Sequence, residues 1–419
     1  MLKKHLVVLL LMVMAVGASA QSIPSGTGRI EALGNSPFIL DAATDINNNP
    51  VWVGYYRNYI FGDIGRDVIN DFALTSQYAG VSFGVSKKLA LGLVLNKTDD
   101  NWANFNVDTI FGPARNGIKN PIVPLKLLIG YSLSKDFHLG LAPYIAMWSN
   151  DLVSGSHEDK GSATSLGASL GAMKMMKKGW IEGVINFRMN SYKRTITDSA
   201  SSQTWANDGG IQLSVDLRAW IYPKKSSKIA IVPILGFSTS SFTPKYDRTG
   251  PTFDTLSAKY SWMSFGGGVG LNWPISDDIQ LAGGLIVQYN QQKSELGSSS
   301  NNTTNFILPM FNFAGETRIA DWLTARMGYS RSVDRYKNEV TGTITTEGGT
   351  TTSTSSYAET FPSSDVQTVS LGSGFHFGRF SIDATVSEKW LKHGINFISG
   401  GDNTDLFGVI SASYNFNTK

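Results

Sequence analysis

The chain has 419 residues, 42% of them hydrophobic and 16% charged, with a formal net charge of +3 and no cysteine. Without cysteine there is no disulfide, thiolate metal site or thiol nucleophile, and so small a charge points to no nucleic-acid partner. Length alone suits two or three soluble domains, yet no linker-like break divides the sequence.

Residues 1–20 read as a secretory signal peptide. Lys3 and Lys4 form a basic start, 6–16 is an apolar run, and Ala18-Ser19-Ala20 is a small-residue cleavage site ahead of Gln21. No cysteine follows to carry a lipid anchor, and no later stretch reaches the roughly 18 apolar residues of a spanning helix. Residues 21–50 hold Ile30, Leu33, Phe38, Ile39 and Leu40, which seek burial in a segment too short to build its own core.

The barrel is expected over 51–416, with 51–60 (VWVGYYRNYI) as its first strand. Beyond Gln77 a repeating order sets in: strand, short turn, strand, long polar segment. Seven tight connections carry turn residues or charge: Lys87-Lys88, Lys135-Asp136, Lys177-Lys178-Gly179, 223–227, 274–278, Ala320-Asp321 and Gly378-Arg379. Between these hairpins lie seven polar segments, at 98–124, 150–162, 194–208, 242–257, 294–303, 341–364 and 392–405. Short turns at one end and long loops at the other is the asymmetry of an outer-membrane barrel, with periplasmic turns and extracellular loops. With the last strand at 406–416, the count is sixteen strands, or fourteen if one pair merges.

The strand at 211–222 shows the two faces best. Ile211, Leu213, Val215, Leu217, Ala219 and Ile221 share one side; Gln212, Ser214, Asp216 and Arg218 share the other. Apolar residues outward to lipid and polar residues inward to a lumen is the pattern a spanning barrel needs. Glycine is frequent on the inward side, as in Gly266, Gly268 and Gly270, where small residues permit curvature or close approach of a plug. Phe137, Trp273, Phe377, Phe380 and Phe416 fall outward beside the short turns, as an interfacial girdle requires; Trp180 and Trp322 fall inward by strict alternation.

Seven inward charges are the candidate lumen-lining residues: Lys126, Glu182, Arg188, Asp216, Arg218, Arg326 and Asp383. They either filter a solute or pair across neighbouring strands, because an unpaired charge in a narrow interior is costly. Catalysis is not expected. His138, His157, His376 and His393 form no metal-ligand spacing, no catalytic residue stands out, and no cofactor is called for.

Arg29-Ile30-Glu31-Ala32-Leu33-Gly34, then Asp41-Ala42-Ala43-Thr44-Asp45, then Asn49-Pro50 resemble the opening of the FadL-type barrel superfamily, which includes PorV-like proteins of type IX secretion. The match spans roughly 25 residues, and Val51 stands where that family favours Ala. The resemblance implies that 21–50 enters the lumen as a hatch, and that the barrel passes hydrophobic compounds or serves secretion. The expectation is therefore a channel or transporter for a small solute, hydrophobic ones included; the alternative is a non-conducting scaffold that binds secretion-system proteins. The other partners expected are outer-membrane lipid and the barrel-assembly machinery, which recognises an aromatic-ended last strand.

Overall fold

The computed structural model describes residues 26–64, 77–98, 121–249, 254–297, 299–346, 349–360, 367–386 and 407–416. The signal peptide, nearly all of 98–124, the 392–405 segment with His393, and residues 417–419 lie outside the described residues.

A strand with one apolar and one polar face leaves unpaired edges unless its sheet closes on itself. Eighteen strands do so here: β1 (Tyr59–Ile64), β2 (Tyr78–Gly84), β3 (Leu89–Thr98), β4 (Ile122–Ser132), β5 (Phe137–Ser154), β6 (His157–Met176), β7 (Gly179–Asp198), β8 (Ser201–Ile221), β9 (Ala230–Phe242), β10 (Lys245–Thr249), β11 (Asp254–Pro274), β12 (Ile279–Leu296), β13 (Ser299–Ala320), β14 (Leu323–Thr346), β15 (Gly349–Thr360), β16 (Gln367–Phe377), β17 (Phe380–Val386) and β18 (Phe407–Asn415). Neighbours pair antiparallel, and β1 closes the sheet by pairing with both β2 and β18. Both β9 and β10 lie between β8 and β11, so they are one interrupted stave. Likewise β15 and β16 are successive partners of β14. The result is a closed barrel of sixteen staves.

Two sequence expectations are corrected. The strand expected at 51–60 enters the wall only at Tyr59: the Asn49 side chain accepts from the Val51 N–H, and Pro50 opens a 3-10 helix, Pro50–Gly54. Val51, Trp52 and Val53 are all buried, a run of consecutive contacts that an alternating strand facing lipid does not make. The polar segments 150–162, 194–208 and 294–303 are not irregular loops either. There β5 with β6, β7 with β8, and β12 with β13 run on as paired ribbons to tight tips. β14 reaches 24 residues, against the roughly 9–11 that cross a bilayer. Beyond lipid both faces of a ribbon meet water, so polar pairs such as Thr303 with Asn338 and Thr341 with Thr354 replace the alternation.

The outer face is apolar. Leu125, Leu127 and Tyr131 of β4, Leu166 and Leu170 of β6, Ile211 and Leu217 of β8, and Val269 and Leu271 of β11 are exposed. Their neighbours Lys126, Leu128, Gln212 and Asn272 are buried inward. So continuous an apolar band marks contact with lipid. Trp273 is 44% exposed beside a short turn. Trp180 faces inward and stacks on Trp220 with ring centroids 5.4 Å apart. Trp322 departs from strict alternation: it belongs to the turn before β14, is exposed, and stacks on Phe375.

The segment before β1 lies inside the wall. It comprises α1 (Thr27–Ala32), α2 (Ala42–Asn48) and the 3-10 helix. Helix α1 packs on β14, β16, β17 and β18. Gly34 then meets Gly328 of β14, Phe38 meets Gly270 and Gly284 of β11 and β12, Asn49 meets Gly171 of β6, and Val51 and Val53 meet Gly140 and Gly130 of β5 and β4. The segment thus makes a circuit of the inner wall, within a few residues of the short turns. A Cβ at Gly328, Gly140 or Gly171 would overlap the segment's backbone or the Asn49 side chain; the missing side chains let the two chains touch. Leu33, Phe38, Ile46, Trp52 and Val53 are fully buried, and each such burial is worth about 1.5–3 kcal/mol.

Candidate functional site: the chamber inside the barrel

On the ribbon side of this segment, the wall and the segment's Asp45, Asn47, Asn48 and Asn49 enclose a chamber of about 610 Å³. Strand β8 is its spine. Gln212, Ser214, Asp216 and Arg218 face in, and their direct partners on β7 are Arg188, Asn186, Val184 and Glu182. Across β8, Ser238 and Gly236 of β9 continue the same rows toward Ser264 and Gly266 of β11.

Two ion-pair networks fasten the segment to the wall. In the first, Arg218 bridges Asp45 of α2 at 2.6 Å and Glu182 of β7 at 2.8 Å. The Asn49 amide donates to Glu182 at 3.0 Å, and the Trp52 indole N–H donates to the same carboxylate. In the second, Arg29 of α1 binds Glu316 of β13 at 2.7 Å and Asp41 at 3.3 Å. Glu316 also accepts from Arg326 at 3.1 Å, and Arg326 reaches Asp383 at 2.7 Å. Arg326 and Asp383 sit on β14 and β17 with β16 between them, and the contact passes over Gly374, where a Cβ would strike both side chains. Direct backbone contacts add to these. Asn272 donates to the Phe38 carbonyl at 2.8 Å, Asn312 to that of Gly34 at 3.1 Å, and Thr385 to that of Gly28 at 2.7 Å.

The structure places Lys126, Glu182, Arg188, Asp216 and Arg218 at the chamber. Lys126 donates to the Asn47 carbonyl at 2.9 Å, and the Arg188 guanidinium lies over the Tyr144 ring at 5.5 Å. Arg326 and Asp383 belong to the second network beneath α1, away from the chamber. Reading the sequence missed Glu316, although it falls on the inward register with Asn312 and Ala314 while Phe311 and Phe313 face out. It also missed that Asp45 joins the first network and Arg29 and Asp41 the second. His138 bonds Ser132, His376 sits between the hydroxyls of Thr324 and Ser381, and His157 pairs with Asp198 near an exposed ribbon tip. The chamber's chemistry is hydrogen bonding and charge.

No family model and no curated protein matches the chain. Among solved structures it is similar to the Pseudomonas putida toluene transporter TodX, with 9% identity over 95% of this chain and 100% of that one and a TM-score of 0.43. A Pseudomonas aeruginosa FadL homologue gives 12% identity over 95% and 99% with a TM-score of 0.43. The ferric yersiniabactin uptake receptor FyuA from Yersinia pestis gives 10% over 85% and 79%, with a TM-score of 0.41.

Burial pushes the carboxyl of Asp45 up to about 6, with Arg218 pulling the other way, and burial raises Asp41 as well. A free aspartate titrates near 3.9, so the docked segment keeps protons that the undocked segment gives up between those values. Docking is therefore strongest below this window and weakens as pH rises through about 6. A spin label at the exposed position of Asn48 (Asn48→Cys) should be more mobile at pH 7.5 than at pH 5; equal or reversed mobility would contradict this coupling.

Proposed function

We propose that the chain is an outer-membrane channel or transporter for passive passage of a small solute, with the short turns in the periplasm and the long ribbons outside. Residues 26–58 act as its hatch. The observation that carries this reading is a chamber inside the wall, floored by a segment that ion pairs, side-chain hydrogen bonds and apolar contacts hold in place. None of these joins the segment's helices to the wall as a strand of the sheet, so it can leave without breaking a stave. The outward apolar band supports residence in lipid.

The runner-up is a closed scaffold. It draws on the aromatic cluster of Tyr192, Trp205, Phe242 and Tyr260, packed on the inner face farther toward the ribbons. Flux separates the two. Liposomes bearing the full-length protein should swell in small solutes and exclude ones larger than the chamber; no flux of any solute would favour the scaffold. On whole cells, an impermeant thiol reagent should label Ser154→Cys and Gly349→Cys but not Lys88→Cys or Lys225→Cys, and the opposite pattern would overturn the orientation.

A further inference from the structure

We infer that the outer face of β12, β13 and β14 binds lipid A, the acylated and phosphorylated disaccharide of the outer leaflet, with an acyl chain in a groove over Gly283 and its phosphates on Arg331 and Arg335. The inference takes only the orientation from the transport reading, with the ribbons outside, and needs no passage of solute. It concerns the lipid face of the wall, where a groove of about 500 Å³ crosses the three strands.

Strand register builds the groove. Gly283, Phe313 and Tyr329 form one row of direct partners, and Leu285, Phe311 and Arg331 form the next. All six line it, and its surface is almost wholly apolar. Leu285, Phe311 and Phe313 are exposed on the outer face. Gly283 puts no side chain between Phe313 and the exposed Leu271 of β11, so the apolar band dips there. A furrow bordered by two phenylalanine rings holds one acyl chain by contact along its length.

Arg331 selects an anion at one height. It is exposed on the same face and lies about 27 Å along β14 from Leu323, where the strand begins. At the usual tilt that is about 20 Å of height, near the top of an apolar band about 25 Å tall. Apolar residues still flank it there. Val369 of β16 is exposed beside Tyr329, and Leu308 of β13 is exposed on the ribbon side of Phe311. A cation among such neighbours is unfavourable unless its head reaches an anion or water. A guanidinium has five N–H donors, so a phosphate joins the protein partners of Arg331 and need not replace them. Arg335 is exposed on the same face, about 13 Å farther along. The outward carboxylates of Glu295 and Glu339 hold Lys293 and Lys337 at 2.6 and 2.7 Å, and these neutral pairs do not oppose a phosphate. A disaccharide phosphorylated at both ends offers one phosphate to each arginine, where a glycerophospholipid offers one in all.

The test is native mass spectrometry of the full-length protein in detergent, titrated with bisphosphorylated lipid A, the same lipid without its phosphates, phosphatidylglycerol and inorganic phosphate. Bisphosphorylated lipid A should bind about tenfold more tightly than the other two lipids, and inorganic phosphate should not displace it. Arg331→Gln and Arg335→Gln should each weaken it about tenfold, the size of one lost charge-assisted contact. Gly283→Leu should weaken it by filling the groove. Lys193→Gln removes an exposed cation of β7, away from the groove, and should leave the affinity unchanged. Heat-modifiable electrophoretic mobility confirms that each variant is folded. The proposal is overturned if phosphatidylglycerol or the dephosphorylated lipid binds as tightly, if neither arginine substitution weakens lipid A, or if Gly283→Leu leaves its affinity unchanged. The titration has no inside or outside, so it fails separately from the whole-cell labelling that tests the orientation. Ribbons shielded from the impermeant reagent would overturn the choice of lipid A whatever the affinity.

Discussion

Glu316→Ala should destabilise the folded barrel by about 3–5 kcal/mol, the cost of removing one partner from a buried ion pair. Glu316 is the shared acceptor for Arg29 and Arg326, and Arg326 is 3% exposed. Deleting the carboxylate takes the shared acceptor from both buried arginines and leaves Arg326 only Asp383, at 2.7 Å, and Arg29 only Asp41, at 3.3 Å. Unfolding in urea, followed by heat-modifiable mobility, measures the loss. A variant as stable as the wild type would show that the network contributes nothing to holding α1.

Leu217→Arg should cost about 2–4 kcal/mol, because arginine on the lipid face near mid-membrane carries that penalty. Leu217 is 41% exposed on the outer face of β8, and its neighbour Asp216 faces the chamber. Asp216→Asn keeps the side chain's shape and removes a charge with no ion-pair partner, so its effect on stability should be far smaller. The contrast between adjacent residues is the point of the measurement, made by folding each variant into lipid vesicles. Equal tolerance would mean that the two faces of β8 are misassigned.

How much of this was legible in the sequence follows from where the alternation holds. Within lipid the two solvents differ sharply, so Leu125 to Tyr131 and Ile211 to Arg218 show their faces without a structure. Past the membrane that contrast disappears, and the Asn- and Thr-rich ribbons of β12, β13 and β14 resemble loops in composition although they are fully paired. The segment 51–54 has strand-like residues, but an Asn cap and a proline settle it as a 3-10 helix. Among the interior charges, the inward position of Glu182 and Arg218 is readable from period two, and their pairing follows from adjacent strands in register. The union of Arg29 with Glu316 is not, since 287 residues separate them and no local pattern links a short helix to a distant stave. The glycines gave half of that signal. Gly270 lies under Phe38, whereas Gly266 meets β12 and lines the chamber, a difference that depends on where the inner segment passes.

Single-channel conductance compares the intact protein with a variant lacking residues 24–46 most directly. The deletion removes α1, Phe38 and most of α2, and with them Arg29, Asp41 and Asp45 of both networks, while every stave of the wall remains. If the segment is the hatch of a solute path, the variant stays folded in lipid and its conductance rises well above that of the intact protein. A folded variant that conducts no better than the intact protein would contradict the hatch and leave an occluded scaffold.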